Sequence, residues 1–262
     1  MKQKLTRLLT LTMTRIPMLL INRIMFVGFT MIVGMSLPGC EDHTVTPPVN
    51  ETGTIADIEG NIYKTVRIGN QWWMAENLRV TRFGSGEEIQ EISDKDEWAN
   101  AGLPAYCYFN NTPNGTGLLY NYYVIQNEAK IAPYGWHIPT DDDWKQLEEY
   151  IGMPVDLLDQ TNWRGTTEGD QLKEESTATT GWIFYDNSVW GNNATGFSAT
   201  GGSCRVFNGE WGVPVLRHSG YWWSSTTQNG YGWFRSLDYK KSGIFRYSAH
   251  PNYGFSIRCV KN

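Results

Sequence analysis

The chain has 262 residues, a formal net charge of −5, twelve tryptophans, fourteen tyrosines and 27 glycines. That acidic balance disfavours nucleic acid and anionic lipid headgroups as partners. Aromatic runs punctuated by glycine favour many short strands and turns over long helices, in a chain long enough to bury one sizeable core.

Residues 1–39 stand apart. Lys2, Lys4, Arg7, Arg15 and Arg23 have no acidic companion and precede the apolar run 24–37, the pattern of a secretory signal peptide. A run of about fourteen residues is too short to cross a bilayer core of roughly 30 Å comfortably. It closes on Leu37-Pro38-Gly39-Cys40, which resembles the lipobox of bacterial lipoproteins. That resemblance implies cleavage before Cys40 and acylation of its thiol and new amine. The alternative is a plain signal peptide with a chance cysteine. Five of the 22 basic residues and none of the 27 acidic ones lie in this segment, so its removal leaves the remainder at −10. Residues 40–53 read as a stiff polar tether containing Pro47 and Pro48. Its Glu41-Asp42 pair resembles the surface-export signal of Bacteroidetes lipoproteins. The expectation is a chain held to the outer membrane by its N-terminal lipid and exposed at the cell surface, with a single domain over 54–262.

In that domain strands are expected over 54–58, 62–68 and 71–74, with turns at Glu59-Gly60-Asn61 and Gly69-Asn70. Ser93 as N-cap, acidic residues behind it and Trp98 as an apolar anchor predict a short helix. A second helix starts at Thr140. Asp141, Asp142 and Asp143 fill its first turn, where carboxylates meet free amides and the positive end of the dipole. Trp144, Leu147 and Ile151 make its apolar face, Lys145, Gln146, Glu148 and Glu149 its polar face, and Gly152 follows as a left-handed C′ residue.

The rival reading of this stretch is a metal site built from the three aspartates and His137. Consecutive carboxylates on a helix point about 100° apart and cannot share one ion, so the aspartates read as caps. Leu172 marks another short helix over 169–176. Strands then follow at 182–185, 196–199, 203–207, 221–225, 232–239, 243–247 and 254–260, with turns at Asn208-Gly209, Asn229-Gly230 and Ser242-Gly243. The fold class is α+β, with an antiparallel meander near the C-terminal end.

The segment Tyr63-Lys64-Thr65-Val66-Arg67-Ile68-Gly69-Asn70-Gln71-Trp72-Trp73-Met74-Ala75-Glu76-Asn77-Leu78 resembles the opening motif of the Fibrobacter succinogenes major paralogous domain. So do Tyr106-Cys107-Tyr108-Phe109, Gly117-Leu118-Leu119-Tyr120-Asn121, Pro133-Tyr134-Gly135-Trp136-His137-Ile138-Pro139-Thr140, Tyr221-Trp222-Trp223-Ser224-Ser225-Thr226 and Gly254-Phe255-Ser256-Ile257-Arg258-Cys259-Val260. The resemblance covers 54–262 in order. It implies a C-type-lectin-like fold, with short helices packed on antiparallel sheets and long loops, related to the sulfatase-modifying branch whose Gly-Gly-Ser turn is echoed by Gly201-Gly202-Ser203. It also implies a secreted or surface protein. Ala132 departs from the pattern, since family members often carry a cysteine there. Fold alone does not fix function.

Beyond Cys40, three cysteines remain: Cys107, Cys204 and Cys259. One disulfide and one leftover thiol is the simplest arithmetic for an exported chain. Three pairings are open. Cys204–Cys259 is favoured because both fall in the expected C-terminal meander. Formylglycine-generating oxidases bind copper through two cysteines near the C-terminus, and here Gly254 stands in place of the first, so the soft ligand pair is missing. The carboxylate triplets of calcium-dependent lectins are missing too, and His250-Pro251-Asn252 lacks the acid. With four histidines, no Gly-x-Ser-x-Gly elbow and no acid–base pair that stands out, hydrolysis has no evident machinery.

The expectation is therefore a non-catalytic, cofactor-free and metal-free ligand-binding or adhesion lipoprotein. Its partner would be a glycan or a surface protein. Trp163, Trp190, Trp211 and Tyr231 are the candidate loop contacts, because aromatic rings stack on sugars and anchor interfaces. Trp72, Trp73, Trp136, Trp144, Trp222 and Trp223 are assigned to the core. The alternative is an envelope hydrolase or a glycan-processing accessory enzyme.

Overall fold

The structure, a computed structural model, describes residues 50–113, 115–176, 181–183, 191–212 and 216–262. Three strands open the domain, β1 (Thr52–Ala56), β2 (Ile62–Ile68) and β3 (Gln71–Met74), in an antiparallel ladder; β2 and β3 lie where expected, but β1 starts two residues before the expected 54–58, because Thr52 and Gly53, assigned to the tether, pair with Val66 and Thr65. Then come β4 (Gln90–Glu91), α1 (Lys95–Ala99), β5 (Ala105–Cys107), β6 (Leu119–Tyr120), α2 (Tyr122–Gln126), β7 (Trp136–His137), α3 (Asp141–Tyr150), β8 (Asn162–Arg164) and α4 (Glu168–Leu172). The meander follows as β9 (Ser219–Gln228), β10 (Tyr231–Asp238) and β11 (Lys241–Ala249), and β12 (Val260–Lys261) ends the chain. The sheet orders are β1-β2-β3-β12-β7, β8-β11-β10-β9 and β4-β5-β6. Apart from the parallel β4–β5 pair, every strand pairing is antiparallel. The architecture is α+β, with few short helices on antiparallel sheets.

The β8-β11-β10-β9 sheet has a core on each face. Successive side chains of a strand point to opposite faces, so Trp222 and Trp223 of β9 enter different cores. Trp223 packs with Tyr122, Phe234 and Phe255, and Trp222 with Trp73, Trp144, Phe197 and Leu237. A third, smaller cluster gathers Trp98, Phe109 and Leu119. Of the tryptophans assigned to the core, Trp72 and Trp136 are only half-buried.

The Asn229-Gly230 turn joins β9 to β10 with both residues at positive φ (53° and 82°), the conformation a two-residue hairpin turn requires. Ser242-Gly243 is not a turn, contrary to expectation. The chain reverses at Tyr239-Lys240, and Gly243 lies inside β11. A Cβ there would overlap the Arg164 carbonyl, and one at Gly169 would overlap the Gly243 carbonyl, so these glycines let β8 and α4 approach β11. Helix α4 spans Glu168–Leu172 rather than 169–176, because Lys173 turns extended to bridge Ala199. The cap of α1 is Asp94 rather than Ser93. Its carboxylate accepts the Asp96 and Glu97 amides at 2.8 and 2.9 Å, while the Ser93 carbonyl accepts from Asn111 and Arg205.

The strands expected over 196–199, 203–207 and 254–260 reduce to single bridges, with only Val260 and Lys261 forming strand. The strand expected over 182–185 leaves the described residues after Ile183, and neither Trp182 nor Ile183 belongs to a strand.

Candidate functional site

Thr140 caps α3 as expected. Its hydroxyl accepts the Asp143 amide at 3.1 Å, and the Asp143 carboxylate accepts the Thr140 amide at 2.8 Å, a reciprocal capping box. The three aspartates do not share that role, however. Asp142 is exposed, and only Asp143 caps, also meeting His137 Nε2 at 3.1 Å. Asp141 is buried. It accepts from Arg235 Nη1 at 2.7 Å and from Arg246 Nε and Nη2 at 3.0 and 2.7 Å.

Glu148, expected on the polar face, is also fully buried. It accepts both Arg164 amino groups at 3.0 and 2.9 Å and Arg235 Nε at 2.5 Å. Asp141 and Glu148 lie seven residues apart on one helix face, and the three arginines rise from β8, β10 and β11 to meet them. This charged knot clamps α3 to the sheet. Among the described residues, no group of three or more His, Cys, Asp or Glu is placed to hold a metal ion.

The opposite face of the same sheet carries a cleft of about 640 Å³. Phe234, Tyr221 and Phe255 form its floor, with Tyr221 stacked on Phe255 at 5.2 Å and Phe234 at 4.8 Å from the same ring. Phe207, Tyr231, Tyr247 and His250 rise around it. The Asn229-Gly230 turn sets Tyr231 at the start of β10, register places Tyr247 opposite Phe234, and Phe207 stands on the turn closed by Gly209 N–H to Val206 O. His250 Nδ1 accepts the Asn252 amide at 3.2 Å, which leaves the ring hydrogen on Nε2. Phe207, Tyr231 and Tyr247 are 47, 45 and 47 % exposed, a concentration of large rings in water that marks a contact surface. No carboxylate stands among the described residues that line the cleft. Burial pushes the Cys204 thiol and the Tyr221 hydroxyl each up to about 12. Such a surface can stack on, and donate hydrogen bonds to, a neutral ligand.

The sequence-based candidates divide. Tyr231 is part of the cleft wall. Trp163 lies on β8, directly opposite Phe245 of β11, with the two rings 5.3 Å apart on the cleft's face of the sheet. Trp211 is half-buried between the Phe109 ring, at 5.4 Å, and the Arg205 guanidinium, at 4.2 Å, which makes it a packing residue. Trp190 and Cys40 lie outside the described residues. Sequence reasoning missed Phe207, Tyr247 and His250. For Tyr247 a signal existed in the alternation of Phe245 and Tyr247 with Arg246, but it points the wrong way when the arginine is the buried member.

The Cys204–Cys259 disulfide is corrected by the structure. Cys107, Cys204 and Cys259 are all free, buried thiols. Cys204 lies outside the β9–β11 meander at the base of the cleft, whereas the Cys259 carbonyl accepts the Met74 amide at 3.0 Å beside β3. Burial also pushes the Cys107 thiol up to about 12, and the Cys259 thiol well up, so neither is a ready thiolate. We expect these three thiols to resist a thiol reagent in the native chain and all to react in denaturant. Finding only one reactive would reveal a disulfide.

An α+β domain with an aromatic contact surface is thus the class of protein that fold and site define. Residues 66–261 match the family described as the Fibrobacter succinogenes major domain (Fib_succ_major), well over half of the sequence, and the chain belongs to that family. No curated protein and no solved structure matches it. Among the described residues, no helix is long and apolar enough to cross a membrane.

Proposed function

We propose that the chain is a surface-anchored, non-catalytic binding lipoprotein whose domain, a C-type-lectin-like scaffold, takes a neutral glycan into the aromatic cleft. The lipid on Cys40 would attach it to the outer membrane, and residues 41–49 would link that anchor to the domain. The observation that carries the reading is the set of half-exposed Phe207, Tyr231 and Tyr247 rings around an uncharged cleft. Aromatic faces stack against the C–H faces of sugars, while phenol hydroxyls at their edges meet sugar hydroxyls. A strongly acidic remainder repels anionic polymers, which favours a neutral one.

The test is a glycan array probed with the purified chain, followed by titration of the best ligands. Tyr231→Ala and Tyr247→Ala should each weaken binding by about five- to thirty-fold, equivalent to about 1–2 kcal/mol. Binding that survives both changes would place the ligand elsewhere. Turnover of a polysaccharide by the purified chain would replace this reading with that of an envelope hydrolase.

A further inference from the structure

Aromatic rings continue along the sheet beyond the cleft wall at Tyr247. The Tyr247 and Phe245 rings lie 6.1 Å apart on one face of β11, and the Trp163 ring stands 5.3 Å beyond Phe245 on the edge strand β8. On the inner side, Phe245 lies 5.9 Å from Phe234 in the cleft floor. Register sets Phe245 opposite Trp163 on β8 and opposite Ser236 on β10, while Phe234 stands opposite Tyr247, so the rings step diagonally from the cleft to Phe245 and then straight across to Trp163, at 5.3 to 6.1 Å a step. The interval is comparable to the advance of one sugar along an extended chain. Trp163 remains 39 % exposed although it sits in a regular ladder beside a buried core, where a smaller polar residue would complete the edge equally well.

Resting on the glycan reading above, we propose that Trp163 and Phe245 form outer subsites continuous with the cleft, and that the occupant is a linear, neutral oligosaccharide spanning several sugars across the sheet. The cleft seats one segment of the chain, and the next sugars cross Phe245 and stack on Trp163 at the open edge. None of the described residues that line the cleft is a carboxylate, a lysine or an arginine. The arginines of β8, β10 and β11 point to the other side, into Asp141 and Glu148. A neutral polymer needs none, since each sugar adds one ring contact and affinity grows with the number of sugars engaged.

The experiment titrates the full chain calorimetrically with β-1,4-linked gluco-, manno- and xylo-oligosaccharides from monosaccharide to hexasaccharide. At least one series should gain about tenfold or more in affinity between the shortest ligand that binds and the tri- or tetrasaccharide, then level off. Trp163→Ala should abolish that gain while leaving the shortest ligand's affinity unchanged, and Trp163→Tyr should restore most of it. Tyr231→Ala should weaken every length by the same factor. Affinity independent of length, or a gain that persists in Trp163→Ala, overturns the extended track and leaves the cleft reading standing. No binding by any series at any length overturns both. The thermal unfolding of Trp163→Ala, a half-exposed edge position, confirms that the domain is folded during the comparison.

Discussion

Replacing Asp141 by Asn should destabilise the domain by about 3–5 kcal/mol, the cost typical of breaking a buried ion pair by removing one partner. Glu148→Gln should cost a similar amount. The side chains of Asp141, Glu148, Arg164, Arg235 and Arg246 are all 6 % exposed or less. Arg235 and Arg246 stand directly opposite on neighbouring strands, a like-charge pair that opens a ladder unless an anion lies between them. Asp141 is that anion, bonded to both. An amide at 141 keeps the shape and the hydrogen-bond acceptor but takes away the carboxylate bonded to Arg246 and leaves Glu148 alone to offset Arg235, with the two guanidinium groups facing each other in a dry interior. Urea unfolding at neutral pH reads the loss directly, and a change under about 1 kcal/mol would show that the arginines have other compensation.

The pH dependence carries a second reading of the same clamp. Burial works to raise the Asp141 pKa, but hydrogen bonds and charge from Arg246 and Arg235 outweigh it and hold the carboxyl well below its usual range. For an acid depressed in this way, the stabilisation is complete above the unfolded pKa of about 4 and is lost as pH falls through the folded value. The stability gap between the native chain and Asp141→Asn should therefore narrow as pH drops below about 4. Because β10 and β11 carry Tyr231 and Tyr247 on their other face, loosening this ladder should also weaken the glycan binding proposed above, in a chain that is still folded.

Elements whose local chemistry is self-contained were legible in the sequence. Thr140 and Asp143 cap each other, Gly152 at φ 109° ends α3, and Asn229-Gly230 turns a hairpin, all within a few residues of chain. What misled was burial of charge. Glu148 looks like a solvent residue, and Asp141 looks like a cap. Only the return of β8, β10 and β11, sixteen to more than a hundred residues later, brings the arginines that make their burial tolerable. The same inversion hid the cleft. On β11 the alternation Ile244, Phe245, Arg246, Tyr247 does not separate core from solvent, because Arg246 is buried and Tyr247 is exposed. Tyr231 and Trp163 drew notice as aromatic residues in apparent loops, though both lie on strands, Tyr231 at the start of β10 and Trp163 on β8. Phe207 and His250 enter the site only through tertiary placement.

The second large effect should come from Asn77, which no motif of acid, base or metal ligand would single out. Its side-chain carbonyl accepts from Trp222 Nε1 at 2.9 Å and Arg258 Nε at 2.8 Å. Its amide donates to the Thr116 carbonyl at 2.7 Å and reaches Ser256 Oγ at 3.3 Å. One side chain thus ties the segment after β3 to β9 and to the strand-like run before β12. Arg258 is fully buried, and burial pulls its guanidinium pKa down to about 9. Besides Asn77 it bonds the carbonyls of Phe197 and Ser198.

Asn77→Leu fills the same volume but strands an indole N–H and a charged N–H, each costing about 1–3 kcal/mol and the charged one more, for a total of about 3–5 kcal/mol. Asn77→Asp should cost less. It keeps both acceptor bonds and gives Arg258 a counter-charge, at the expense of setting a carboxylate oxygen against the Thr116 carbonyl. Denaturant unfolding of both variants decides between two causes. Leu worse than Asp means the desolvated cation governs this junction; Asp worse than Leu means the lost donor to Thr116 does.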